Sequence, residues 1–194
     1  MKSIGLLGGS FDPPHKGHLY ISIEAKKVLK LDEIWWLVSP QNPLKISKPA
    51  NYTERLKNCY EITKGQPIKI SEIEKKINSK YTYQSLSYIQ NHYKNIKFFW
   101  LMGADNLINF HQWQKWRSIS NDISIVVFKR HGYNNKALNS ITKKTFAQFQ
   151  VLANSLNQSN FKQLPSWSLI KNKEIKISST EIRKQRELLR GSYY

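Results

Sequence analysis

This sequence predicts an α/β fold: a doubly wound parallel sheet with helices on both faces. Three observations predict it. Short apolar runs alternate along the chain with segments of helical spacing, as they do where strands and crossover helices take turns. The run FFWLM at 98 to 102 is apolar at every position, as a strand covered on both sides must be. The first apolar run stops at Gly8-Gly9, just before an amphipathic segment, which is the strand-turn-helix order of a parallel sheet.

The elements follow in order. Residues 3 to 7, SIGLL, form a short strand. Residues 18 to 30, HLYISIEAKKVLK, put Ile21, Ala25, Val28 and Leu29 on one helical face. EIWWLVSP, 33 to 40, is a strand stopped by proline. In TERLKNCYEITK, 53 to 64, Leu56, Cys59, Tyr60 and Thr63 recur at helical spacing, and Gly65 ends the helix. PIKISEIE, 67 to 74, alternates like a strand. TYQSLSYIQNHY, 82 to 93, is helical through Leu86, Ile89 and Tyr93. KFFWLMG, 97 to 103, and ISIVVFKR, 123 to 130, are further strands. The region from 132 to 164 is polar, with one helix expected around 142 to 156. SSTEIRKQRELLRG, 178 to 191, closes the chain as a helix stopped by Gly191. No repeat or low-complexity linker divides these elements. The expectation is one Rossmann-like domain over 1 to 194, with a small C-terminal helical element at about 178 to 190.

Composition narrows the class. At 40% hydrophobic and 12% aromatic, 194 residues can bury a core. A single cysteine, Cys59, excludes an internal disulfide and fits a reducing compartment. Its place on a helical apolar face makes it core. The N-terminal apolar run is too short for a secretion signal, and no run approaches bilayer length, so a cytoplasmic protein without membrane contact is expected. Lys and Arg number 31 against 13 acids, a formal +18. A compositional bias explains this best. A field drawing in small anions comes next, and nucleic-acid binding last, because the basic residues are scattered rather than gathered in a stripe.

GLLGGSFDPPHKGHL, 5 to 19, concentrates the unusual residues. Glycines at a strand's carboxyl edge let a ligand approach the backbone and adopt conformations closed to other residues. The helix starting near Gly17-His18 offers free amides and a positive dipole end to an anion. His15 and His18 add imidazole donors at the same spot. The set suits phosphate. Zinc is the weaker reading, since the only cysteine is remote and no acidic pair accompanies the histidines. In ISSTEIR, 177 to 183, Ser178 and Glu181 form a capping box. Arg183 sits in the first turns, where the dipole does not favour a cation unless an anion is bound there. Lys45 follows a proline-rich loop, Asp105 reads as an N-cap after Gly103, and Trp113 and Trp116 suit either core or ring stacking. His92, His111 and His131 read as ordinary polar positions.

GGSFDPPHKGHL and ISSTEIR resemble the two signatures of the HxGH nucleotidyltransferases, lying at opposite ends of the chain as they do in that family. The resemblance extends through SPQNPLK (39 to 45), YTERL (52 to 56), KYTYQSL (80 to 86), GADNLINFHQW (103 to 113) and VVFKRHGY (126 to 133). It is greatest to the nicotinate-nucleotide adenylyltransferase branch. That resemblance implies transfer of AMP from MgATP to nicotinate mononucleotide, giving deamido-NAD and pyrophosphate. It implies that His18 and His15 bind the triphosphate, His18 at the α-phosphate, with Lys45 and Arg183 stabilising the leaving pyrophosphate. Gly8, Gly9, Ser10, Phe11, Gly103, Asp105, Ser178 and Thr180 would line the ATP site. Trp113 would stack on the pyridine ring, and backbone amides near Thr82 and Gln114 would hold its carboxylate. Magnesium would be held mainly by ATP phosphates, with no protein metal site, and a homo-oligomer is permitted. Ser10 stands where the family usually has Thr, Pro14 where it has an aliphatic residue, and SPQNPLK keeps the family spacing only loosely. The rivals are adenylyl transfer to nicotinamide mononucleotide or to pantetheine phosphate, a non-catalytic nucleotide sensor, and a basic nucleic-acid-binding protein.

Overall fold

A computed structural model describes residues 1–44, 48–158, 161 and 163–191. Its strands are β1 (Lys2–Gly9), β2 (Glu33–Val38), β3 (Ile68–Ser71), β4 (Ile96–Gly103), β5 (Ser124–Phe128) and β6 (Trp167–Ile170). They form one sheet in the order β3-β2-β1-β4-β5-β6, every neighbouring pair parallel. The order reverses between β1 and β4. Crossovers leave opposite faces there, so a crevice opens outside the carboxyl ends of these two strands.

Helices α1 (Lys16–Leu29), α2 (Tyr52–Thr63), α3 (Ile73–Lys76), α4 (Thr82–His92), α5 (Ala104–Asn109) and α6 (Trp116–Asp122) flank the sheet. The strands alternate their side chains between two cores. On one face Trp35, Leu37, Trp100, Met102, Ile125 and Val127 meet Leu86 and Ile89 of α4 and Leu107 of α5. On the other, Ile34, Trp36, Val38, Phe99, Leu101 and Val126 meet Ala25 and Leu29 of α1 and Leu56 and Cys59 of α2. Cys59 is fully buried, and burial pushes its thiol up to about 12, as a packing role requires.

Three expectations change. The strand over 67 to 74 stops at Ser71, and one turn of helix, α3, follows. A period of two would put Glu72 on the face of Ile68 and Ile70. Turning into α3 instead carries Glu74 into the interior, where it is 7% exposed. The single helix expected around 142 to 156 is broken into α8 (Ile141–Thr145) and α9 (Ala153–Leu156), and a further short helix, α7 (Asn134–Leu138), precedes them. Past α8 the Phe146 carbonyl accepts from the Phe149 amide at 3.0 Å, in a tighter turn, and from the indole of Trp167 at 2.7 Å. Strand β6 has no counterpart in the sequence reading. Its polar members are buried too: Ser168 lies within it, and the preceding Ser166 pairs with Ser124 at 2.8 Å, which hides the apolar alternation. The last helix, α10 (Ser179–Gly191), begins within one residue of its expected start.

Candidate active site

The first loop leaves β1 at the reversal point. Gly8 and Gly9 are half-buried. Neither has a left-handed φ. The left-handed residue is Phe11, at φ 47, whose ring is buried and stacked on Trp36 at 4.6 Å. This corrects the expectation that the glycines supply special conformations. Gly8 is needed for space, because a Cβ there would sit 2.5 Å from Cη2 of Trp100. Ser10 is buried, and its hydroxyl has no hydrogen-bond partner.

The two histidines cap α1 and each other. His15 is the N-cap residue, and its Nδ1 accepts from the Gly17 amide at 3.1 Å. Nδ1 of His18 accepts from the His15 amide at 3.2 Å. The rings lie 3.9 Å apart. A ring nitrogen that accepts carries no hydrogen, so in the neutral form both imidazoles hold their proton on Nε2. Burial, with Arg130 second, lowers the His15 pKa to about 4, against the opposing pull of Asp105 and Glu181. His15 is therefore a neutral donor near pH 7. Gly17 fits because a Cβ would stand 2.9 Å from the His15 ring and 3.1 Å from Ile177.

The segment at Ile177 thus runs beside the start of α1, and α10 joins the two ends of the chain. Nη1 of Arg183 donates to the Asp12 carbonyl at 2.6 Å and lies 3.9 Å from the Asp12 carboxylate. Ser179 donates to the Pro13 carbonyl at 2.9 Å. Thr180 accepts from Nη2 of Arg183 at 3.4 Å. Ser178 accepts from the Glu181 amide at 3.1 Å and donates to the Glu181 carboxylate at 2.8 Å, a variant of the expected capping box. The C-terminal motif thus docks on the Asp12-Pro13 turn, immediately before His15.

Across the crevice, Gly103 ends β4 and is itself the N-cap of α5. Asp105 is not the cap. It lies in the first turn and pairs with Arg130, which follows β5, while its other oxygen is buried without a partner. Trp116 is core, whereas Trp113 is half-buried, edge-on to Trp100 at 6.0 Å and tilted against Phe110 at 5.2 Å. Thr82 opens α4, whose N-cap Tyr81 gives no side-chain cap, so the first-turn amides have no side-chain acceptor from it. Gln114 is exposed. Lys45 lies outside the described residues.

Three residues escaped the sequence reading. Arg55, 1% exposed, donates to the carbonyls of Ser10 (2.5 Å), Ser39 (2.8 Å), Pro40 (2.9 Å) and Ala50 (2.9 Å). It ties the loop after β1 to the loop after β2. Arg130 reaches Asp105, and Glu74 lies under the start of α4. Among 31 basic residues neither arginine carries a local mark. Glu74 was hidden by the expected strand. Among the described residues no three His, Cys, Asp or Glu side chains gather into a metal cage.

The cytidylyltransferase-like family model matches residues 6–185. A protein of Ruegeria sp. (strain TM1040) named "Probable nicotinate-nucleotide adenylyltransferase" is 42% identical over 183 residues, covering 94% of this chain and 97% of the relative. A protein of Brucella suis biovar 1 with the same name is 37% identical, covering 94% of each. The fold matches a Plasmodium falciparum nicotinic acid mononucleotide adenylyltransferase complexed with NaAD at a TM-score of 0.71 and 19% identity, over 95% of this chain and 83% of that one.

Proposed function

The chain belongs to the cytidylyltransferase-like family, and from that membership we propose that it transfers the adenylyl group of ATP to nicotinate mononucleotide, forming deamido-NAD and pyrophosphate in NAD biosynthesis. The relatives at 37% and 42% identity, each matched over 94% of this chain, support the substrate pair. The observation that carries the reading is the docking of Arg183 and Ser179 on the Asp12-Pro13 turn beside the capping histidines.

A phosphate oxygen of the mononucleotide attacks the α-phosphorus of ATP. The new O–P bond forms as the bond from that phosphorus to the bridging oxygen breaks, and the bridging electrons leave with pyrophosphate. The nucleophile is anionic near neutral pH, so no general base is needed. Rate comes from alignment and from stabilising charge on the phosphates. His18, with its proton on Nε2, donates to an α-phosphate oxygen. His15 does the same toward the triphosphate, and the positive end of the α1 dipole favours both contacts. Arg183, Ser178 and Thr180 hold the departing pyrophosphate, with Lys45 acting from its loop. Gly8, Gly9 and the Ser10 and Phe11 backbone pass close to the nucleotide, and Asp105 faces its ribose. Trp113 stacks on the pyridine ring, whose carboxylate takes the amides near Thr82 and Gln114.

Magnesium would be held mainly by the ATP phosphates, and when bound it would supply charge neutralisation there, in keeping with its preference for phosphate and water ligands. The whole chain acts as one domain, α10 completing the ATP site. Among the described residues no helix is long and apolar enough to cross a membrane. The lone buried thiol suits a cytoplasmic setting.

Pyrophosphate release with ATP, magnesium and each mononucleotide tests the reading. Turnover with nicotinate mononucleotide well above that with nicotinamide mononucleotide is expected. Equal or reversed preference would refute the acid substrate, and release with neither would refute the function.

A further inference from the structure

The start of α1 rests on a buried side-chain relay that the mechanism above does not use. Ser22 lies one turn beyond His18 in α1 and is fully buried. Its hydroxyl has one proton, which it donates to the His18 carbonyl at 2.9 Å. The same hydroxyl accepts from Nε1 of Trp36 at 2.7 Å. Trp36 belongs to β2 and is also fully buried. The relay thus runs from the strand, through the hydroxyl, to the backbone of His18. The indole reaches His18 by a second route. Phe11 stacks on Trp36 at 4.6 Å with an interplanar angle of 11°. The Phe11 ring lies 4.9 Å from the His18 ring, and the indole stands edge-on to His18 at 5.9 Å. Phe11 makes these contacts from its left-handed φ of 47, a conformation that persists only where the surroundings fix it. Trp36 therefore holds His18 twice, by its backbone through Ser22 and by its ring through Phe11. A helical serine commonly bonds the carbonyl four residues back. The added bond from another element sets this one apart. Stability alone does not call for it, because a buried polar pair replaced by apolar groups of the same shape can be nearly neutral.

We propose that Trp36 and Ser22 are positioning residues for adenylyl transfer, fixing where the His18 imidazole stands against the α-phosphate. Neither has to touch substrate. The bond to the His18 carbonyl sets the backbone from which the imidazole projects, and the Phe11 ring limits how it turns. Rate depends on placing groups closely at the reacting phosphorus, so a small displacement of His18 slows the chemistry and leaves binding in place. This rests on the proposed function, because it takes His18 as the donor to the α-phosphate.

The test compares the parent with Ser22→Ala, Trp36→Phe and the double variant. Ser22→Ala cuts the relay and leaves every ring in place. Trp36→Phe keeps a ring for Phe11 to stack on but has no N–H to donate. Each single variant should lower kcat by about tenfold. KM for ATP and for nicotinate mononucleotide should stay within about twofold of the parent. Because both changes break one relay, the double variant should lose no more than about twofold beyond the slower single one. A second readout needs no turnover. Proton–carbon correlation NMR reads the His18 ring protons, whose shifts carry the ring currents of Phe11 and Trp36. Those rings remain in Ser22→Ala, so a displaced imidazole should move its signals toward those of an exposed histidine. A kcat within about twofold of the parent in both single variants would overturn the proposal, whatever the loss of thermal stability. So would a rise in KM at unchanged kcat, losses that multiply in the double variant, or His18 signals that do not move in Ser22→Ala. A parent that turns over neither mononucleotide overturns the functional reading instead, and the His18 signals still decide whether Ser22 places the imidazole.

Discussion

Replacing Arg55 by Met tests whether the crevice is held together from beneath. The guanidinium serves four carbonyls, of which the bond to Ser10 is fully buried and the other three are partly so. Methionine keeps the stem but leaves the Ser10 carbonyl unsatisfied, which costs about 1 to 3 kcal/mol. The three partly exposed carbonyls can regain water, so each adds about 0.5 to 1 kcal/mol. Against this stands relief from burying a charge, a strain visible in the pKa of Arg55, which burial lowers. The net is a loss of about 3 kcal/mol. Unfolding entropy is about 2.1 cal/mol/K per residue, or about 0.4 kcal/mol/K for 194 residues, so the melting midpoint should fall by about 7 °C. KM for ATP should rise with it, because Ser10 and Ser39 lose their shared anchor. Arg55→Lys keeps the charge but not the planar fork, and should fall between. A thermal melt of Arg55→Met within about 2 °C of the parent, less than one kcal/mol, would refute the clamp.

The remaining expectations are quicker to state. His18→Ala should lower kcat by more than tenfold, over about 1.4 kcal/mol of transition-state stabilisation. Loss of its Nδ1 contact to the His15 amide should cost only about 1 kcal/mol of stability, and turnover within tenfold of the parent would remove it from the chemistry. Trp113→Ala should raise KM for the mononucleotide much more than KM for ATP, and equal rises would make Trp113 packing alone. The lowered pKa of His15 sets a stability profile. The folded state resists protonation, so the contribution is present above about pH 6.5 and is lost as pH falls toward about 4. His15→Asn, which can still cap α1 but does not titrate there, should flatten that part of the melting curve.

Much of this architecture could be read from the chain because its signals are local. FFWLM became β4, and the helical spacing of Leu86 and Ile89 became α4, since periodicity and burial agree at those positions. The two motifs were legible for the same reason: a turn, a cap and a helix start are spelled out in neighbouring residues. What stayed hidden depends on contacts distant in sequence. Trp167 bonds the Phe146 carbonyl, next to the end of α8, from 21 residues away, and no short window of sequence contains both partners. Arg55 bonds Ser10 across 45 positions, and nothing marks it apart from other basic residues. The role of Gly8 was misassigned to conformation because the indole that excludes a side chain there belongs to another strand.

The site also divides its donors by charge, and that division has a physical basis. At the start of α1 both imidazoles spend Nδ1 on backbone amides, so Nε2 bears the hydrogen, and the His15 pKa of about 4 keeps that ring neutral. In the proposed reaction His15 therefore meets the triphosphate as a neutral donor, which does not draw the phosphate into a tight ion pair. The full cation, Arg183, stands on the Asp12 carbonyl at the other side of the turn, and in the proposed reaction it meets the leaving pyrophosphate. Arg130 could have upset this order, for it lies close enough to bias His15. Its pairing with Asp105 holds it on the β4–β5 side of the crevice and returns an opposing charge to the same histidine. Asp105→Asn should therefore act on more than the ribose. It frees Arg130, removes the one nearby charge that raises the His15 pKa most, and should deepen the neutrality of His15. A pH profile whose acid limb moves down in Asp105→Asn supports this coupling, and one that moves up refutes it.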